Sequence, residues 1–172
     1  MAVSPEDLLA RMADMGIRTR TVQHPPLFTV EDAKAHRGDL QGGHTKNLFL
    51  KDKKGGLWLV TCLEDRRVDL KALNKRLGAA RFSFGKPDLL MEVLGVVPGS
   101  VTPLSIINDT EGRVTLVLDE DLMNHDPLNF HPLTNEATTQ ISAADLLTFV
   151  RETGHEPVIS PIDEIPDDNA AE

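Results

Sequence analysis

The sequence has a single cysteine, one tryptophan and no tyrosine, and aromatic residues make up only 4% of its 172 positions. One thiol, Cys62, excludes an internal disulfide, and without a CxxC companion it offers neither a thiolate zinc site nor a redox pair. A lone cysteine suits a reducing compartment, and Cys62 lies inside an apolar run, as a small core side chain would. No apolar stretch approaches the ~20 residues that span a bilayer. The opening MAVSPEDLLARM carries acids where a secretory signal needs bases, so the expected location is cytoplasmic, with no membrane partner. The six histidines never form HExxH, GGHTK lacks P-loop spacing, and GxSxG is absent. Neither a metal nor a cofactor is expected.

What is present is an uneven charge distribution. The formal net charge is -9, which taken alone disfavours a nucleic-acid partner. Yet residues 34–81 hold 12 of the 18 lysines and arginines against 5 acids, a local balance of +7, leaving -16 for the remainder. Such asymmetry permits one basic face on an acidic body and makes phosphate contacts possible. An ordinary apolar fraction of 40% and this length fit one domain with a substantial core.

The local signals describe short elements. Ser4-Pro5-Glu6-Asp7 opens a helix whose stripe is Leu8, Leu9, Met12 and Met15, and Gly16 stops it. Thr19–Gln23 reads as a strand ended by His24-Pro25-Pro26, and Thr29-x-x-Asp32 starts a short helix, VEDAKAH. GGHTKNLFLKDKKGGLWLVTCL, residues 42–63, is a hairpin: two apolar runs around the turn DKKGG. Asp69 caps a helix carrying Leu70, Leu73 and Leu77, RFSF is a brief strand, and Pro87-Asp88 begins a helix through Leu94. Leu104–Ile107, the turn NDTEG and Val114–Leu118 suggest a second hairpin, and Asp119-Glu120-Asp121 a solvated helix start. Ser142-x-x-Asp145 caps a helix through Thr153, with Leu146, Leu147 and Val150 facing the core, and EPVISPI suits an edge strand. The expected fold is therefore α+β, a curved, mixed, largely antiparallel sheet with short surrounding helices. Regular βαβα alternation with a glycine-rich first turn is missing, which counts against a dinucleotide fold.

Functional residues stand out where structure does not require them. A hairpin's own hydrogen bonds need no Lys46 or Asn47 at its mouth. The loop GVVPGSVTP, residues 95–103, has a specified backbone path in which Gly99 and Ser100 can offer outward N–H groups. The turn-rich stretch after Asp121 contributes His131. Lysine steadies a carboxylate, phosphate or developing oxyanion, and N–H donors favour a tetrahedral intermediate, so this set suits hydrolysis or binding of an acyl or phosphate compound.

Four blocks then occur in order: HPPLFTVEDA at 24–33, GxxTKNLFLKDKKG at 42–55, GVVPGSVTPLSIIND at 95–109 and FHPLTNEATTQIS at 130–142. Together they resemble the YbaK/prolyl-tRNA-synthetase-associated editing domains, and within them the freestanding alanyl-tRNA(Pro) deacylase branch, over residues 5 to 160. The resemblance implies a compact domain around a mixed, curved sheet, with residues 1–162 as the editing domain and 163–172 as an acidic tail. It implies trans-editing: hydrolysis of the ester joining alanine to the terminal adenosine of mischarged tRNA(Pro), without metal. It makes Lys46 the essential lysine, Asn47 its companion, Gly99 the loop glycine near the scissile ester, and His131 a substrate contact.

Lys46 is expected to act as an electrostatic anchor rather than a base, because nearby phosphates favour its charged form. Leu27, Phe28, Val30 and Phe49 are expected to wall a small amino-acid pocket, with Thr45 and Ser100 in supporting roles. The basic band offers Lys51, Arg66, Arg67, Lys75 and Arg76 as contacts to the tRNA acceptor end. Prolyl-tRNA synthetase is a further expected partner, and a monomer the expected state. The alternatives are a deacylase for mischarged cysteine or serine, and a non-catalytic tRNA- or synthetase-binding module.

Overall fold

A computed structural model describes residues 2–27, 29–36 and 41–166. In chain order its elements are α1 (Pro5–Asp14), β1 (Arg20–Gln23), α2 (Val30–His36), β2 (Gly43–Asp52) and β3 (Leu57–Leu63). Then follow α3 (Leu70–Arg76), β4 (Phe82–Phe84), α4 (Pro87–Leu94), β5 (Val114–Asp119), β6 (Leu128–Phe130), β7 (Ala137–Ile141), α5 (Ala143–Glu152) and β8 (Val158–Ser160). The helix starts obey their caps: the hydroxyls of Ser4 and Ser142 and the Asp69 carboxylate accept N–H groups three residues on, at 3.0–3.1 Å.

The eight strands form one mixed sheet in the order β1-β7-β6-β2-β3-β5-β8, with β4 attached to β2. Four pairings are antiparallel and three parallel. Its centre is the β2–β3 hairpin. Asp52 organises the turn: its carboxylate accepts the Trp58 indole N–H and the N–H groups of Lys54 and Gly56. Those donors, the indole first, hold this carboxyl below the usual aspartate range against the opposing effect of burial.

β3 and β5 are covered on both faces, which is why LWLVTCL and VTLVL read as nearly unbroken apolar runs. Leu57, Leu59, Leu116 and Leu118 face the larger core with α1, α4 and α5, whereas Val60, Cys62 and Val117 face a smaller one with Leu73 of α3. The chain beyond β8 also docks on the body. Val68 bridges to Glu164, the Ile165 N–H donates to the Arg67 carbonyl at 2.7 Å, and Arg76 pairs with Asp163 at 2.8 Å.

Two expectations are corrected. The hairpin expected over residues 104–118 does not form: residues 103–108 make a buried 3-10 helix, begun by Pro103 and by the Thr102 hydroxyl accepting the Leu104 N–H, and the second hairpin is instead β6–β7, paired antiparallel. A run as short as Leu104-Ser105-Ile106-Ile107 fits a strand or a helical turn equally well, and here the proline and the threonine cap decide. The following loop is wound around Asp109, which accepts the N–H groups of Arg113 and Val114 and meets His155 at 2.8 Å. It delivers β5 parallel to β3 and β8. Likewise Asp119 is no solvated helix start. It ends β5 fully buried, where it takes hydrogen bonds from Arg66, Leu63 and Asp121.

Gly42, at φ +97°, turns the chain into β2, and a Cβ there would lie 2.0 Å from the Pro127 carbonyl oxygen, just ahead of β6. Gly42→Ala should destabilise the fold by about 1–3 kcal/mol, measured by urea unfolding. Gly16→Ala, also at positive φ but with open space around its Cβ, should cost less.

Candidate active site

β2 shares one edge between two short strands. Gly43 and His44 pair with β6, and Leu50–Asp52 pair with β4. Between them Thr45–Phe49 face a notch, closed at one end by the Gly85 N–H on the Phe49 carbonyl at 2.9 Å. The hairpin register fixes what points there. Glu64 donates to His44 and Asp52 to Gly56, so even-numbered residues of β2 bond to β3 and Asn47 turns its peptide groups to the notch.

A cavity of about 230 Å³ fills the notch. Lys46, Asn47, Gly99 and His131 line it together, beside apolar walls from Leu27, Val30 and Val101. The Lys46 Nζ donates to the Arg66 carbonyl oxygen. Arg66 is itself clamped by Asp119, Asp121 and Glu164, so its carbonyl is held where the lysine meets it. The Thr61 hydroxyl donates to Asn47 Oδ1 at 2.6 Å, which orients the amide and leaves its NH₂ as the free donor. Val97-Pro98-Gly99-Ser100 is a turn with proline second, Gly99 at φ +92° third, and the Ser100 N–H closing on the Val97 carbonyl at 3.0 Å. That is the type II pattern, which rotates the Gly99 N–H outward and uses up that of Ser100.

His131 is half-buried, and its Nδ1–H donates to the Ala137 carbonyl at 3.2 Å, leaving Nε2 as an acceptor. Burial pushes its pKa below the usual histidine value; the Ala137 bond opposes this and the neighbouring His24 adds to it. His24 stands edge-on, ring centroids 6.4 Å apart, with its own Nδ1–H on the Pro25 carbonyl and Nε2 against the Thr138 hydroxyl. Cys62 pairs with Lys46 across the hairpin but is wholly buried, and burial drives its thiol up to about 12, so it is no nucleophile at neutral pH. Among the described residues, no group of three or more metal-ligating side chains could hold a metal ion, and no helix is long and apolar enough to cross a membrane.

The other expected site residues divide. Leu27, Val30 and Thr45 line the cavity. Phe49 does not: it shares a strand face with Asn47 but lies in the main core, only 5% exposed, because α4 and the sheet cover that end of β2. Ser100 is buried behind the turn, and Phe28 lies outside the described residues. Lys51, Arg67 and Lys75 are exposed, whereas Arg66 and Arg76 are engaged by carboxylates. Glu64, His24 and Asn129 escaped the sequence reading, although the 44-to-64 hairpin pairing puts Glu64 at the mouth by counting alone.

The structure thus gathers a lysine, an asparagine, a histidine and a loop glycine around one small cavity. Comparison with known proteins gives the family: residues 24–149 match the aminoacyl-tRNA editing domain, and the chain belongs to that family of tRNA deacylases. It is 46% identical to prolyl-tRNA synthetase associated domain-containing protein 1 of Bos taurus, over 89% of this chain and 92% of that one. It is 31% identical to the prolyl-tRNA editing protein ProX of Acetoanaerobium sticklandii, over 86% and 91%. Its fold is shared with the crystal structure of a protein proposed as a trans-editing enzyme for prolyl tRNA synthetase, at TM-score 0.72 and 21% identity, over 96% and 99%.

The lowered His131 pKa has a signed consequence. Below pH 6.5 the unfolded chain gains a proton that the folded site resists, so stability falls as pH drops from 6.5 towards the depressed folded value. Denaturant unfolding of the wild type should show this slope, and His131→Gln should flatten it. A histidine-resolved NMR titration should place the His131 midpoint below 6.5.

Proposed function

We propose that this chain is a freestanding trans-editing deacylase that hydrolyses the ester of Ala-tRNA(Pro), releasing alanine and free tRNA(Pro). The observation that carries the reading is the meeting of Lys46, Asn47, Gly99 and His131 in one cavity of about 230 Å³.

An activated aminoacyl ester needs alignment and oxyanion stabilisation more than a protein nucleophile. In this reading the Gly99 N–H and the Asn47 amide donate to the oxygen that gains charge as water adds to the carbonyl. Lys46 anchors the terminal nucleotide or the carbonyl side of the ester, exchanging the Arg66 carbonyl for the substrate. The vicinal ribose hydroxyl of the substrate takes part in activating water. The buried thiol of Cys62 stays out of the reaction.

Choosing alanine over proline by affinity is hard, since one methylene is worth only about 1–3 kcal/mol. A cavity walled by Leu27 and Val30, with Phe28 in the same segment, instead rejects the larger ring by volume. Lys51, Arg67 and Lys75, exposed on the basic band, are the contacts offered to the acceptor end of tRNA(Pro). Lys51 stands about 17 Å along β2 from Lys46. Arg66 and Arg76 contribute mainly through the ion pairs that hold the hairpin mouth and the C-terminal segment. Prolyl-tRNA synthetase supplies the mischarged tRNA in this scheme, and the domain acts as a monomer.

The test incubates purified protein with alanyl-, cysteinyl-, seryl- and prolyl-charged tRNA(Pro). Alanine should be released fastest and proline retained. Lys46→Ala, checked for folding by circular dichroism, should lose about 10²-fold or more. Faster release of serine or cysteine would move the substrate assignment, and no release from any substrate by folded protein would overturn the deacylase reading.

A further inference from the structure

We propose that Phe84, flanked by Lys53 and Lys86, is a stacking platform for an unpaired base near the 3′ end of the RNA substrate. The inference rests on the deacylase reading above and says how that enzyme grips the strand leading away from the ester.

Phe84 ends β4 with 63% of its surface exposed. Among the described residues it is the one phenylalanine left in solvent, since Phe49, Phe82, Phe130 and Phe149 are buried. Phe82, on the same face of the strand, is 7% exposed and meets Trp58 edge-on, ring centroids 5.7 Å apart. The backbone that carries Phe84 is nevertheless fixed. It lies in register with Leu50, the Ser83 hydroxyl donates to the Lys51 carbonyl at 3.3 Å, and the Gly85 N–H closes on Phe49. The ring is thus presented to water from a rigid edge.

A single exposed ring needs no explanation by itself. Its surroundings supply one. Phe84 lines a shallow depression of about 590 Å³ together with Lys51, Lys53 and Lys86. Many basic side chains elsewhere are spent on acids: Lys34 on Asp65, Arg76 on Asp163, Arg151 on Glu156. Those of Lys51, Lys53 and Lys86 enter no hydrogen bond or ion pair among the described residues. Of the acids in the same depression, Asp52 is bound up in the hairpin turn and Glu92 meets Arg113. Uncommitted cations around an aromatic face are the parts that hold single-stranded nucleic acid, charge for the phosphates and a π surface for a base. A protein partner fits less well, because lysine is depleted from protein interfaces and one ring makes no apolar core.

The spacing agrees. Phe84 stands opposite Leu50, four residues along β2 from Lys46, or about 13 Å. Stacked nucleotides rise about 3.4 Å each, so a strand whose terminal ester lies in the cavity reaches Phe84 within about four nucleotides.

The test measures binding of an unacylated RNA hairpin copying the tRNA(Pro) acceptor stem, with its unpaired 3′ nucleotides or blunt, by fluorescence anisotropy at fixed salt. Phe84→Ala should weaken the overhanging RNA by about 5–100-fold and the blunt one little. Phe84→Tyr, which keeps a ring, should bind as the wild type does, and Phe84→Leu, apolar without a ring, should not. Lys53→Ala combined with Lys86→Ala should weaken binding and flatten its salt dependence. In deacylation of alanyl-tRNA(Pro), Phe84→Ala should raise KM while kcat holds, as expected when a contact made equally before and during the reaction is lost. A Phe84→Ala that binds the overhanging RNA like the wild type would overturn the proposal and leave the ring to a protein partner. Full binding by Phe84→Leu would also overturn it, because stacking would then play no part. If the ring-dependent binding is present but no ester is hydrolysed, the deacylase reading falls and the platform stands; hydrolysis with a KM indifferent to Phe84 sinks the platform alone.

Discussion

The candidate site depends on one constraint: β2 has two different partners along the same edge and, among the described residues, none between them. In a continuous sheet, successive side chains point to opposite faces and cannot share a pocket. Lys46 belongs to the face of Leu48 and Leu50, against the smaller core, and Asn47 to the face of Phe49, against the larger one. Only because the neighbouring strand is missing over Thr45–Phe49 do both side chains reach one opening. The same gap leaves the Asn47 peptide groups facing it and makes room for the turn at Gly99. The candidate site thus sits at an interruption of the sheet.

Interrupting a sheet is costly unless the surroundings hold its ends. At one end β6 is pinned to β2 by Gly43 on Pro127 and by the Asn129 amide; at the other, Gly85 closes on Phe49. The hairpin mouth is held from below by the buried Asp119, which binds Leu63 and Arg66 together. Arg66 also draws in Asp121 and Glu164, tying β3, β5 and the C-terminal segment to the carbonyl that receives Lys46. Basic residues that look in the sequence like a phosphate-binding face are in part this scaffold. Arg66 and Arg76 spend their charge on carboxylates of the same chain, whereas Lys51, Arg67 and Lys75 stay exposed.

Much of this was legible beforehand because it is local. The caps at Ser4, Asp69 and Ser142, the turn around Asp52, and the stops at Gly16, Gly78 and Gly154 each act within a few residues, and each formed as expected. The residues 103–108 did not, since a run as short as Leu104–Ile107 carries no period that separates strand from 3-10 helix. Among the site residues, Lys46, Asn47, Gly99 and His131 stood out as polar groups that secondary structure alone would not require. Glu64, His24 and Asn129 did not, because what marks them is a spatial neighbour rather than a sequence signal.

By itself the sequence determined most of the helices with their caps and the β2–β3 hairpin, since these rest on backbone propensity and on signals read along the chain. The tertiary structure alone decided which side of β2 stays open, that Phe49 packs inward while Asn47 lines the cavity, and that Asn129 is left with an unmet acceptor. Those outcomes depend on pairings between segments 80 or more residues apart, such as Gly43 with Leu128. Nothing local specifies such pairings, because a short strand gains its stability from its neighbours rather than from its own sequence.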